Sequence, residues 1–96
     1  MVQPEIICLG EALIDILPMV YGSSIVATGE MKMAAGGAPA NVAVGLARLG
    51  TKSGFLGRVG DDFFGHHLKE VLDTNGVDTS HLIMDPRIHT GLAFVS

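Results

Sequence analysis

Apolar positions along this chain fall in short runs punctuated by glycine. Ile6-Ile7-Cys8-Leu9 is a continuous apolar run closed by Gly10, the pattern of a strand buried on both faces of a parallel sheet. Its carboxyl end points at Glu11 and Asp15. Over residues 24–34 the pattern changes to alternation, with Ile25, Ala27, Met31 and Met33 on one face and Ser24, Thr28, Glu30 and Lys32 on the other, Val26 being the exception. One or two half-exposed strands, bent near Gly29, are predicted there. Gly36-Gly37-Ala38-Pro39 then announces a helix, because proline is favoured at the first helical position, where its missing N–H costs nothing. The helix is expected to run to about residue 49 and stop at Gly50. It carries Ala40, Ala43, Gly45 and Ala47 beside Val42, Val44, Leu46 and Leu49, so it is apolar nearly all round and should be largely buried.

A second strand over residues 53–56 leads into Gly57-Arg58-Val59-Gly60, and Asp61 or Asp62 is positioned to cap a second helix. On that helix Phe64, Leu68, Val71 and Leu72 share one face, Lys69, Glu70 and Asp73 face water, and Asn75-Gly76 ends it. Further strand-like stretches cover residues 81–84 and 90–96, the last with no turn or cap after it. Strand, helix, strand, helix, strand is the succession of an α/β fold, a parallel sheet with crossover helices. With 96 residues the chain is long enough for one small domain.

Composition changes this picture in one respect. Apolar residues make up 48% and charged residues 17%, against about 25% charged in ordinary soluble domains. Some apolar surface is therefore expected to be buried against something outside these residues. A membrane is not that something, since the runs 6–9 and 12–17 are interrupted by Glu11 and Asp15 and fall far short of the roughly 20 residues a span needs. The start Met1-Val2-Gln3-Pro4-Glu5 has neither a basic segment before an apolar one nor an Arg-rich pattern, which predicts a cytoplasmic protein without a signal or transit peptide. Cys8 is the only cysteine and sits in an apolar run, so it is expected to be a buried small hydrophobe rather than a reactive thiol or ligand. A net charge of −4 with scattered basic residues gives no footprint for nucleic acid.

Ligands of open α/β sheets bind beyond the carboxyl ends of strands, where helix amino termini offer unpaired N–H groups. Asp15 follows the first strand by a few residues, Gly36-Gly37 precedes the first long helix, and Asn41 lies in that helix's first turn. An ionised carboxylate can accept from two adjacent hydroxyls, an amide can donate and accept, and paired glycines let backbone approach a polyol. Asp15, Gly36, Gly37 and Asn41 are thus candidate substrate-binding residues for a small sugar. No Gly-x-x-x-x-Gly-Lys-Ser/Thr is present, and Gly54, Gly57 and Gly60 lack dinucleotide spacing. His66 and His67 are adjacent and would point to different faces of a helix, so with His81 and His89 distant no metal site is predicted. Met31 and Met33 suit a substrate lid, a dimer seam or plain core filling equally.

These residues also carry a resemblance. Ala35-Gly36-Gly37-Ala38-Pro39-Ala40-Asn41-Val42-Ala43, with Gly50 and Gly60 beyond it, resembles the first signature of the ribokinase-like, or PfkB, carbohydrate kinases. Gly10-Glu11-Ala12-Leu13-Ile14-Asp15 looks like that family's opening motif, and the segment from Gly57 to Gly65 looks like its next one. The Ala38-Pro39 pair and the run from Thr90 to Val95 are similar to fructokinases, whereas ribokinases usually have a Lys and a Gly at the first pair. The resemblance implies a partial ribokinase-like fold over residues 1–96, with lid segments at about 19–34 and 90–96. It further implies sugar hydroxyls bound by Asp15, Gly37 and Asn41, ATP and Mg2+ as cofactors of the complete enzyme, and a homodimer formed through the lid strands. The family's Asp-Thr-x-Gly-Ala-Gly-Asp motif, which supplies the anion hole and the catalytic base, has no match in this sequence. Catalytic residues are therefore expected in a carboxyl-terminal half and not here. The expected role is the sugar-binding part of an ATP-dependent carbohydrate kinase; the alternatives are a non-catalytic, kinase-derived interaction or dimerisation module and an unstable truncated remnant.

Overall fold

The structure, a computed structural model, describes residues 4–18 and 31–94. Among these residues six strands and two helices follow in the order β1 (Ile6–Leu9), β2 (Leu13–Pro18), β3 (Met31–Gly36), α1 (Ala38–Arg48), β4 (Ser53–Gly60), α2 (Phe63–Thr74), β5 (Leu82–Asp85) and β6 (Gly91–Phe94). The α/β class holds. Strands β1, β4 and β5 form one parallel sheet in the order β1-β4-β5, and a second sheet has the order β3-β2-β6. In the second sheet β2 runs antiparallel to β3 and parallel to β6. The alternating segment 24–34 is strand from Met31 onward; its earlier part and the bend near Gly29 lie outside the described residues.

Both helices pack on one face of the parallel sheet, and that is where the core lies. Cys8, Phe55, Val59 and Leu82 from the sheet meet Ala40 and Ala43 of α1 and Leu68 and Leu72 of α2, joined by Ile14 and Ile16 of β2. Small residues let α1 approach closely, and the buried Ser53 hydroxyl donates to the Ala43 carbonyl at 2.7 Å, pinning helix to strand. Cys8 is buried and free, as expected.

Three expectations need correcting. β1 is not buried on both faces, for only Cys8 is covered while Leu9 is 70% exposed. The reason is that both crossover helices lie on the Cys8 side, leaving Ile7, Leu9, Leu56 and Ile83 on a bare face of the sheet. Nor is α1 largely buried. Ala40 and Ala43 face the core, but Val42 and Leu49 stand outside. The strand predicted over 53–56 is also longer, since Gly57 to Gly60 extend it to pair with β5. No helix among the described residues is long and apolar enough to cross a membrane.

The corner between β4 and α2 is held by carboxylates. Of the two candidate caps it is Asp62 that closes α2, accepting from the Gly65 N–H at 2.7 Å. Hydrogen bonds from the Thr90 hydroxyl and backbone N–H, with the Gly65 N–H, hold its carboxyl below the usual carboxylate range. Asp85, only 4% exposed, accepts from both the side chain and the backbone N–H of Arg87 and from Arg58, and is held lower still. A depressed folded-state value stabilises the fold above the unfolded carboxylate's pKa of about 4, and the gain disappears as pH falls through the folded value. Asp62→Ala is expected to destabilise by about 1–2 kcal/mol at neutral pH, with the difference from the parent narrowing in acid. Urea unfolding followed by circular dichroism at neutral pH and in acid, with the expected carboxyl-terminal half fused to this chain, checks both; a gap unchanged in acid would show that the carboxylate's charge is not what stabilises the corner.

Candidate functional site

Asp15, a few residues beyond β1, sits within a strand of its own, β2. Strand alternation decides where it points. Ile14 and Ile16 are buried in the core, so Asp15 faces the opposite side of the second sheet. Its cross-strand partners there are Ala34 of β3 and Ala93 of β6. One pair further along, Leu13 is flanked by Gly36 and Gly91. Across the strands the carboxylate is thus flanked by alanines and glycines, a clearing of small residues.

Gly36 is part of that clearing by contact as well as by register. A Cβ placed on it would collide with the Asp15 carboxylate, Oδ2 being the nearest atom. Only glycine leaves the acid where it is. Gly37 follows with φ 96°, a conformation few other residues adopt, and its own Cβ would strike the Glu11 carbonyl oxygen at 2.6 Å. It is the N-cap of α1 and provides no side-chain cap. Its carbonyl accepts the first helical bond, from the Asn41 N–H at 2.9 Å. Pro39 lies in the first turn, as the sequence required.

Gly36 and Asn41 line a groove of about 220 Å³ between α1 and α2, closed at the far end by Arg48, whose Nε donates to the Asn75 Oδ1 at 2.8 Å. Asp15 is not among the residues lining this groove. The structure therefore brings Asp15 to Gly36, and Gly36 to Gly37 and the Asn41 turn. It does not gather all four around one enclosed cavity.

Sequence reading missed the alanines. Ala34 and Ala93 flank the carboxylate only because β3 and β6 pair with β2 in this register, and the signal was a small residue every second position, Ala34 with Gly36 and Gly91 with Ala93. Among the described residues no group of three or more His, Cys, Asp and Glu side chains could hold a metal ion. His66 lies at the surface, its Nε2 2.6 Å from Asp61 Oδ1. The start of α1 is a poor fit for a nucleotide phosphate, because the Asp15 carboxylate lies against Gly36 beside it and like charges repel.

Similar proteins bear on this geometry. The chain is 48% identical over 94 residues to probable fructokinase-6, chloroplastic, of Arabidopsis thaliana, covering 98% of this chain and 24% of that protein. The crystal structure of a fructokinase from Xylella fastidiosa matches with a TM-score of 0.84 at 42% identity, over 95% of this chain and 28% of that one. An uncharacterized sugar kinase from Pyrococcus horikoshii, solved in complex with ATP, matches with a TM-score of 0.87 at 43% identity, over 94% of this chain and 30% of that one. The chain thus spans about a quarter of the length of the relatives it matches. With residues 3–96 fitting the pattern of the pfkB family carbohydrate kinases, the chain belongs to that family.

Proposed function

We propose that residues 1–96 form the amino-terminal, sugar-binding part of an ATP-dependent carbohydrate kinase whose substrate is fructose or a close relative. The observation that carries this reading is the Asp15 carboxylate in its clearing of small residues, against Gly36 and beside the glycine-opened start of α1. A negative acceptor on an uncrowded floor suits vicinal hydroxyls and disfavours phosphate. In this reading Asp15, Gly36, Gly37 and Asn41 hold and orient the sugar. ATP, Mg2+ and the catalytic base belong in this reading to the carboxyl-terminal part, because the Asp-Thr-x-Gly-Ala-Gly-Asp motif that supplies the anion hole and the base has no match in this sequence. The lid comprises about residues 19–34 and 90–96, of which 19–30 and 95–96 lie outside the described residues.

The same reading makes the complete enzyme a cytoplasmic homodimer joined through the lid strands. Met31, Met33, Leu92 and Phe94 are exposed on the face of the second sheet that faces away from Asp15, which supplies apolar surface for a second copy.

Asp15→Asn in the kinase completed by its carboxyl-terminal part tests the site. It keeps shape and removes the charge, so sugar affinity is expected to fall by about 1.5–3 kcal/mol while ATP affinity changes little. Calorimetry with fructose and with ATP separates the two. Unchanged fructose affinity would remove Asp15 from the site.

A further inference from the structure

Thr90 is buried although it carries a hydroxyl, and it stands one residue before β6. Its N–H donates to Asp62 Oδ2 at 2.9 Å, its hydroxyl donates to Asp62 Oδ1 at 2.6 Å, and its hydroxyl oxygen accepts from the Gly60 N–H at 3.1 Å. Asp62 holds the Gly65 N–H at the same time. One carboxylate therefore ties the first turn of α2 to the start of β6, while Thr90 also engages the end of β4. Capping α2 requires only the Gly65 bond. The two bonds to Thr90 serve something else.

What they reach is β6. Among the described residues that strand spans Gly91–Phe94 and pairs with β2. A slip of this strand by one residue would turn every side chain to the other face. In the observed register Ala93 lies opposite Asp15. A one-residue slip would bring Leu92 or Phe94 opposite it and would disrupt the clearing around the carboxylate. Thr90, fixed to Asp62 three residues before Ala93, sets where the strand begins.

We propose that Asp62 and Thr90 form a positioning clamp that sets the register of β6 against β2 and so keeps open the sugar-facing clearing around Asp15. Its functional half rests on the sugar-kinase reading above; its structural half does not. The two residues act through Ala93, so each is a positioning residue.

Thr90→Val keeps the shape and removes the hydroxyl, Thr90→Ser restores it, and Asp62→Asn, a milder change, serves if Thr90→Val does not fold. Hydrogen exchange on the completed kinase reads how firmly β6 is held. The expected result for Thr90→Val is faster exchange at residues 91–94 with the α2 amides little changed, and a return to parental rates in Thr90→Ser. In the completed kinase the sugar KM should rise on the order of tenfold, as misplacement of a binding wall does, with the KM for ATP unchanged and Thr90→Ser again close to the parent. Uniformly faster exchange through α2 and β6, or a parental sugar KM in folded Thr90→Val, would overturn the clamp and leave Thr90 a merely structural residue. Asp15→Asn measured alongside keeps the two readings apart: if it leaves sugar binding intact, the sugar site is wrong, while exchange at β6 still decides the clamp.

Discussion

The 96-residue chain assayed alone is expected to release no ADP from ATP in the presence of fructose. Phosphoryl transfer needs donors around the transferred group and a base at the attacking hydroxyl, and it depends almost entirely on how these are positioned. Asp15, Gly36, Gly37 and Asn41 could hold a sugar, yet the sequence contains no Asp-Thr-x-Gly-Ala-Gly-Asp segment to supply the anion hole and the base. The α1 amino terminus is no substitute, for the acid lying against Gly36 makes it hostile to phosphate. A coupled ADP-release assay of the chain, with Asn41→Ala as the comparison, is the check. Fructose-dependent turnover above that of Asn41→Ala would mean that these residues carry a phosphate site of their own. Adding the carboxyl-terminal part should bring turnover with it.

The candidate site was read from the sequence by residue type. Paired glycines before a helix and an Asn in its first turn stand out by type, and the structure puts Gly37 at φ 96° and Asn41 in the turn it opens. Asp15 was found by type but its strand was not. β2 reads Leu13-Ile14-Asp15-Ile16-Leu17, apolar on both faces except at Asp15, so no period-two alternation marks it as a strand. Pairing with β3 and β6 makes it one, and pairing is not visible in a local pattern. The clamp at Thr90 escaped for the same reason, since the residues it joins are 28 apart in the chain. Helix α2 was easy by contrast: cap, apolar face and terminating Asn75-Gly76 all lie within one local stretch.

Bare apolar faces lead to the second large effect, in solution behaviour. The parallel sheet leaves Ile7, Leu9, Leu56 and Ile83 on one uncovered face, and the second sheet exposes Met31, Met33, Leu92 and Phe94. Among the described residues, strands β1 and β5 are edges of the first sheet, β3 and β6 of the second. Open edges and apolar patches of this kind recruit other chains, and a domain this small has little stability to set against the loss of a cooperative core. The purified chain is therefore expected to be oligomeric, aggregated or partly molten, to bind a hydrophobic dye, and to become well behaved when the carboxyl-terminal part is supplied in trans or fused. Leu9→Lys and Phe94→Lys show which face is responsible, because both side chains are mostly exposed, at 70% and 67%, and neither substitution opens a hole in the core. Relief by Leu9→Lys points to the parallel sheet as the surface that the rest of the kinase covers, and relief by Phe94→Lys points to the lid as a seam between copies. A sharp monomer peak by size exclusion with light scattering, together with a cooperative melt, would instead favour the reading as a self-sufficient interaction module, in which these faces await a different partner.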